Sequence, residues 1–332
     1  MMPKNRLPGR GLCLALALCC AAACGKKQPP ELPAVNRLES YRFDPASTLE
    51  SRIKVTPPLV LAFLRAFDNR QDYSLYAPAA ADRRLIMKYL RLLPPVYERT
   101  FRERCVGIYF VPGLVGNGLT DWVAGPEGKI YFQMTLNPDS LKKTISETLS
   151  GREASCFIPG EGWTVRVDAG SEYRGLLYAL LHEGAHGLDY ALGISPYADN
   201  SMPARYRPGK TGLGGFFMES WSDYSKPLEG ANFPGRDKVA FYGLNGGPKL
   251  RAGEAAALYR GLLKSGFVSL YGSQSWGEDL AELATFSVLS KKLGQPVAIV
   301  LSTPERSYRL EPLSGPAGAR AGAVLKYLEG LK

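Results

Sequence analysis

Histidine is nearly absent: the 332 residues contain only 2. A metal site built on three or more histidines is therefore excluded. Basic residues never run together for more than a few positions. The chain thus lacks the footprint of a nucleic-acid binder, although its formal charge is +10. No segment repeats, which excludes solenoids and propellers. The one apolar run near the start, residues 11–20, is too short to cross a bilayer as a mature helix. What is present is ordinary for a folded protein. Hydrophobic residues make up 45% and charged residues 22%, so wholesale disorder is excluded too. The 36 Gly and 25 Pro predict long, frequent loops, and the length suits one large domain or two small ones.

The first residues read as an address. Lys4, Arg6 and Arg10 precede the apolar run, which ends in Ala21-Ala22-Ala23-Cys24. This is the three-part build of a secretory signal. The small residues before Cys24 resemble a bacterial lipobox, in which the cysteine is lipidated and becomes the mature N-terminus. That resemblance implies a lipid anchor on Cys24, and Gly25 at the next position implies an outer-membrane address in the cell envelope. Removing residues 1–23 lowers the formal charge from +10 to +7, a surface suited to anionic envelope polymers or simply to solubility. Residues 24–36 are polar and Pro-rich, so they read as a tether. Beyond Cys24 only Cys105 and Cys156 remain. In an oxidising envelope this pair predicts a disulfide worth about 4 kcal/mol; two separate buried thiols are the alternative.

Periodicity and breakers predict helices over 57–69, 78–93 and 96–104. Strands are expected over 105–111, 120–124, 129–136 and 163–167. A helix over 138–150 is expected to start from Asn137, and one over 172–192 from Asp168 or Ser171. Further helices are expected over 254–264, 278–292 and 316–331. Residues 37–170 thus form a helical and sheet part, and 171–332 a second part interrupted by a Gly/Pro-rich insertion at 193–253. An insertion of that length is often functional. Its aromatics Tyr197, Tyr206, Phe216, Phe217, Trp221 and Tyr224 either line a cleft or, the plainer reading, pack the insertion on the core.

Both histidines fall in one motif, His182-Glu183-Gly184-Ala185-His186. Residues four apart on a helix share a face, so both imidazoles can reach one zinc ion, with Glu183 beside them to deprotonate a bound water. A catalytic zinc normally has a third protein ligand. It cannot be histidine, so a carboxylate is expected. The candidates are Glu278 and Glu282, four apart in Glu278-Asp279-Leu280-Ala281-Glu282, and Glu219. Of the first pair, one can bind the metal while the other orients an imidazole.

The two motifs together resemble the gluzincin metallopeptidases, particularly the anthrax lethal factor type. The resemblance covers residues 173–190 and 271–286. It implies an α+β, zincin-like fold, with a small mixed or antiparallel sheet over the active-site helix and a mainly helical C-terminal part. It implies Glu278 as the third ligand to a single Zn2+, Tyr271 near the reaction centre, Asp189 after the second histidine, and Glu282 as a supporting carboxylate. It also implies that an edge strand pairs with extended substrate, for which residues 129–136 are the candidate.

The expected function is that of a lipid-anchored zinc metallopeptidase acting on a peptide or protein substrate. Glu183 serves as general base, and Tyr271 stabilises the oxyanion. An amidase of cell-wall peptides would use the same residues. A non-catalytic scaffold on the same fold is the alternative, though it needs no Glu183.

Overall fold

Proline begins two of the first three helices, since its fixed φ suits a first turn whose N–H groups are unpaired anyway. The computed structural model describes residues 31–160 and 162–331; the expected leader and Cys24 lie outside them. Helices α1 (Pro58–Phe67), α2 (Ala80–Leu90) and α3 (Pro95–Arg104) lead into strands β1 (Cys105–Phe110), β2 (Gly118–Ala124) and β3 (Ile130–Leu136). Next come α4 (Ile145–Ala154), β4 (Phe157–Ile158), β5 (Thr164–Asp168) and α5 (Gly175–Leu192). The insertion carries α6 (Gly214–Met218), β6 (Trp221–Asp223), β7 (Lys226–Pro227) and β8 (Leu250–Arg251). The chain closes with α7 (Ala255–Lys264), α8 (Trp276–Ser287), β9 (Ala298–Ser302), β10 (Ser307–Leu310) and α9 (Pro316–Gly330). The fold is α+β, and Pro33–Lys332 makes one compact unit. Among the described residues no helix is long and apolar enough to cross a membrane.

The main sheet runs β1-β3-β2, with β3 parallel to β1 and antiparallel to β2. This corrects the expectation that residues 129–136 form an edge. Six of the seven β3 residues are buried, including polar Gln133 and Thr135, as a central strand covered on both faces requires. The outer edge of β1 is covered, because Lys54 N–H donates to Ile108 O at 3.1 Å and the Thr56 hydroxyl to Phe110 O at 3.0 Å. The edge that borders the site belongs to β2. Asn137 N–H donates to Asn117 O, so in the antiparallel alternation residues 118, 120 and 122 turn their backbone groups outward. Trp122 is already served by the Asn36 amide and the Asp121 carboxylate. Gly118 and Thr120 remain as edge positions.

α5 packs under β2 and β3 on one side and against α8 on the other. Its glycines permit this: a Cβ on Gly184 would lie 2.9 Å from the Tyr97 ring, and one on Gly187 would lie 2.6 Å from the Phe132 ring. The helix begins later than expected. Asp168 is engaged by Arg309 and Gly170 N–H rather than by a helix start. Residues 173–175 instead bond to 143–145, through Ile145 N–H to Tyr173 O and Gly175 N–H to Lys143 O. The same contacts interrupt the helix expected over 138–150. A 3-10 turn, Pro138–Leu141, follows Asn137, and α4 starts afresh from Thr144, whose hydroxyl accepts from Glu147 N–H. A second antiparallel sheet, β10-β9-β5, includes a hairpin that periodicity did not reveal.

Two further expectations are corrected. Val35 and Asn36 are buried, so the packed chain begins inside the segment read as a tether. Cys105 and Cys156 are free, buried thiols. Cys105 lies beside Arg52 at the start of β1, while Cys156 sits behind α4 with its Sγ 3.8 Å from Arg152 O. Burial pushes the Cys105 thiol up to about 12 and raises Cys156 as well.

Candidate metal centre

Leu176, Leu177, Leu180 and Leu181 are fully buried and seat α5, so the turn carrying His182, Glu183 and His186 faces α8. α8 is fixed in turn. The Ser275 hydroxyl accepts from Glu278 N–H at its start, and buried Asp279 accepts from Trp221 Nε1 at 2.9 Å and Arg320 Nη2 at 2.7 Å. Glu278 Oε2 then lies 3.1 Å from His182 Nε2 and 3.5 Å from His186 Nε2. A small ion held at about 2 Å by each donor needs them roughly 3.3 Å apart. Among the described residues these three form the one group of histidine, cysteine and carboxylate side chains placed to hold a metal.

Behind them stands a buried polar network. Glu282 Oε1 accepts from His182 Nδ1 at 2.9 Å and from the Tyr178 hydroxyl at 2.5 Å. Its Oε2 accepts from the Ser269 hydroxyl at 2.5 Å and pairs with Arg152 Nη2 at 3.0 Å. A hydrogen on Nδ1 leaves Nε2 of the neutral ring with its lone pair toward Glu278. Glu278 Oε2 is itself buried and receives no hydrogen bond. Acceptor faces acceptor, and the arrangement requires positive charge between them. Burial opposes charge on His182, yet Glu278 and Glu282 overcome it and raise its pKa to about 10. Burial likewise opposes charge on Glu278, and the two histidines hold it at about 2. A metal cation meets the same requirement with three donors at once.

Glu183 is turned toward β2, where the Thr120 hydroxyl donates to its Oε2 at 2.9 Å. Burial raises its pKa, and Glu278 adds to the effect. Space here is exact enough to demand glycine: a Cβ on Gly118 would sit 2.7 Å from Glu183 Cγ. Gly118→Ala is expected to lower any Glu183-dependent activity by about 10-fold or more while metal content stays at the parent level, since the three donors are untouched. Metal analysis beside a rate assay checks this. Tyr271 packs its ring 5.6 Å from that of His182 and 4.9 Å from that of Phe241. The charge of Glu278, then burial, raises its pKa well above the ordinary value, so it stays a donor.

The structure therefore brings together His182, Glu183, His186, Tyr271, Glu278 and Glu282. Asp189 is placed otherwise. Its oxygens take Ile194 N–H, Ser195 N–H and the Ser195 hydroxyl, fixing the chain as it leaves α5. Glu219 is exposed at the end of α6, outside the group. Sequence reasoning missed Thr120, Arg152, Tyr178 and Ser269. Of these only Tyr178 carried a signal, lying four residues before His182 on the same helix face.

Compared with models of known families, with curated proteins and with solved structures, the chain matches none.

Proposed function

We propose that the protein is a zinc-dependent metallopeptidase with a zincin-like core, exported and held in the cell envelope by lipid on Cys24. The observation that carries the reading is the convergence of His182 Nε2, His186 Nε2 and the orphaned Glu278 Oε2 beside a buried carboxylate, Glu183, that is not one of the donors. Two imidazoles and one carboxylate are the donor set of a catalytic zinc. When bound, zinc supplies a Lewis acid that acidifies a water and polarises a carbonyl.

The chain's own residues supply the rest. Glu183, whose affinity for a proton burial raises above that of an ordinary carboxylate, takes one from the attacking water and passes it to the leaving nitrogen. The Tyr271 hydroxyl donates to the carbonyl oxygen as it gains charge. Glu282 fixes the His182 ring, and Arg152, Tyr178 and Ser269 fix Glu282. An extended peptide pairs with the β2 edge at Gly118 and Thr120, which sets its carbonyl across the face of α5. The cavity beside His182 and Glu183, about 350 Å³, is walled by Leu64, Phe67, Leu119, Phe241 and Leu244 and takes a side chain of that peptide.

The test is metal content and peptide hydrolysis of the purified full chain beside Glu278→Ala. About one zinc per chain, largely lost from the variant, together with cleavage of an unstructured protein by the parent alone, is the expected result. Zinc without cleavage would leave a binding scaffold, and no zinc after reconstitution would remove the metal centre itself.

A further inference from the structure

Tyr242 comes from the insertion, in the stretch 239–245 that borders the cleft. Its φ is +56°, a left-handed backbone unusual for a bulky residue and costly enough to need support from its surroundings. That support is present at three points. Its N–H donates to the Ser155 hydroxyl at 2.9 Å. Its ring lies over Gly116, where a Cβ would be 3.5 Å from Cε2. Its hydroxyl oxygen accepts from Asn117 Nδ2 at 3.1 Å. The hydroxyl proton has no acceptor among the described residues. A strained residue is thus held in place by three contacts at the border of the cleft, with one donor left over.

Its position says which ligand. A second cavity of about 370 Å³, bordered by Arg70, Asp139, Lys143 and Glu147, adjoins the first. Residues 114–117, Arg152 and Tyr242 line both cavities and so form the wall between them. Within that wall Tyr242 is the contribution of the insertion. The first cavity is lined largely by apolar side chains, and the second is charged.

We propose that Tyr242 is a specificity-determining residue that touches the bound peptide. Its ring ends the apolar cavity and thereby limits the length of side chain accepted next to the bond cleaved, and its hydroxyl donates to the peptide backbone. This rests on the metallopeptidase reading. It gives the insertion a task besides covering the core: it furnishes the stop of the side-chain pocket.

The experiment compares the zinc-loaded full chain with Tyr242→Phe and Tyr242→Ala on a random peptide library, with cleaved products identified by mass spectrometry. Melting temperature and zinc content show that each variant is folded and loaded. Tyr242→Phe is expected to lose about 10-fold in kcat/KM with the same side-chain preference, since it loses one hydrogen bond and keeps the ring. Tyr242→Ala joins the two cavities and is expected to shift cleavage toward longer side chains at the position that fills the first. A folded, zinc-loaded Tyr242→Ala with the parent's size preference, or Tyr242→Phe with the parent's kcat and KM, would overturn the inference and leave the peptidase reading standing. A parent that cleaves no peptide in the library would overturn both.

Discussion

Glu183→Gln is expected to lower peptide hydrolysis by roughly 10² to 10⁴-fold, the usual contribution of a general base, and to leave the zinc in place. The substitution keeps shape and takes away the ability to accept a proton. Thr120 can still donate to the side-chain oxygen, so the geometry at β2 survives. The metal donors are His182, His186 and Glu278, so metal content should equal that of the parent. Loss of rate with retention of metal and of peptide binding is the pattern that separates an enzyme from a scaffold, because a scaffold would show no change at all. The pH profile provides a second reading of the same group. Burial raises the Glu183 pKa above the ordinary carboxylate value. A base works only when deprotonated, so kcat/KM of the parent should fall as pH drops through that raised value. The acid limb therefore lies at higher pH than an exposed glutamate would give. A Glu183→Gln protein with parental rate would transfer the proton-accepting role elsewhere and refute the mechanism.

The core of this site was legible because its signal is local. His182, Glu183 and His186 lie within one turn and a half of an apolar helix, and a four-residue spacing becomes a shared face with no tertiary information. Glu278 and Glu282 share that spacing, and their pairing with the histidines then needs only α8 to pack on α5. Arg152 was invisible, because nothing in its neighbourhood on α4 marks one arginine out of many for burial. Its partner Glu282 lies far away in sequence and meets it only when α4, α5 and α8 are assembled. Strand order was lost for a related reason. The apolar alternation of 130–136 defines a strand, but central and edge positions differ by which neighbours arrive on either side. The disulfide expectation failed because an even cysteine count is an argument about redox compartment rather than distance, and the two side chains are buried in separate surroundings. Tyr242 went unnoticed among the 18 tyrosines, since its left-handed backbone leaves no trace in residue type.

Arg152→Met is expected to cost about 3–5 kcal/mol of folding stability, the usual effect of removing one partner from a buried pair. Arg152 and Glu282 are both essentially without solvent access, as is Glu153, whose Oε1 also pairs with Arg152. Methionine fills part of the volume but takes away the guanidinium that Glu153 and Glu282 share, leaving Glu153 with the Tyr259 phenol and Glu282 with Tyr178, Ser269 and His182. The pH dependence identifies the cause. In the parent, burial works against the Glu282 charge, but Arg152 and His182 hold its pKa far below the ordinary range. A depressed carboxylate contributes stability that is complete above the unfolded pKa, about 4.3, and is lost only in strong acid. Between pH 5 and 8 that contribution is constant. Without Arg152 the largest force lowering the pKa is gone and burial remains, so the folded-state value rises. A carboxylate raised above its unfolded value stabilises only while protonated, and this is lost as pH climbs through the folded value. Arg152→Met should therefore be destabilised more at pH 8 than at pH 5, and Arg152→Met combined with Glu282→Gln should recover part of the loss at pH 8. Thermal melts of the metal-free proteins at the two pH values measure this directly. Equal destabilisation at both, with no recovery in the double variant, would mean that Arg152 acts by packing alone and that the Glu282 charge is balanced by His182.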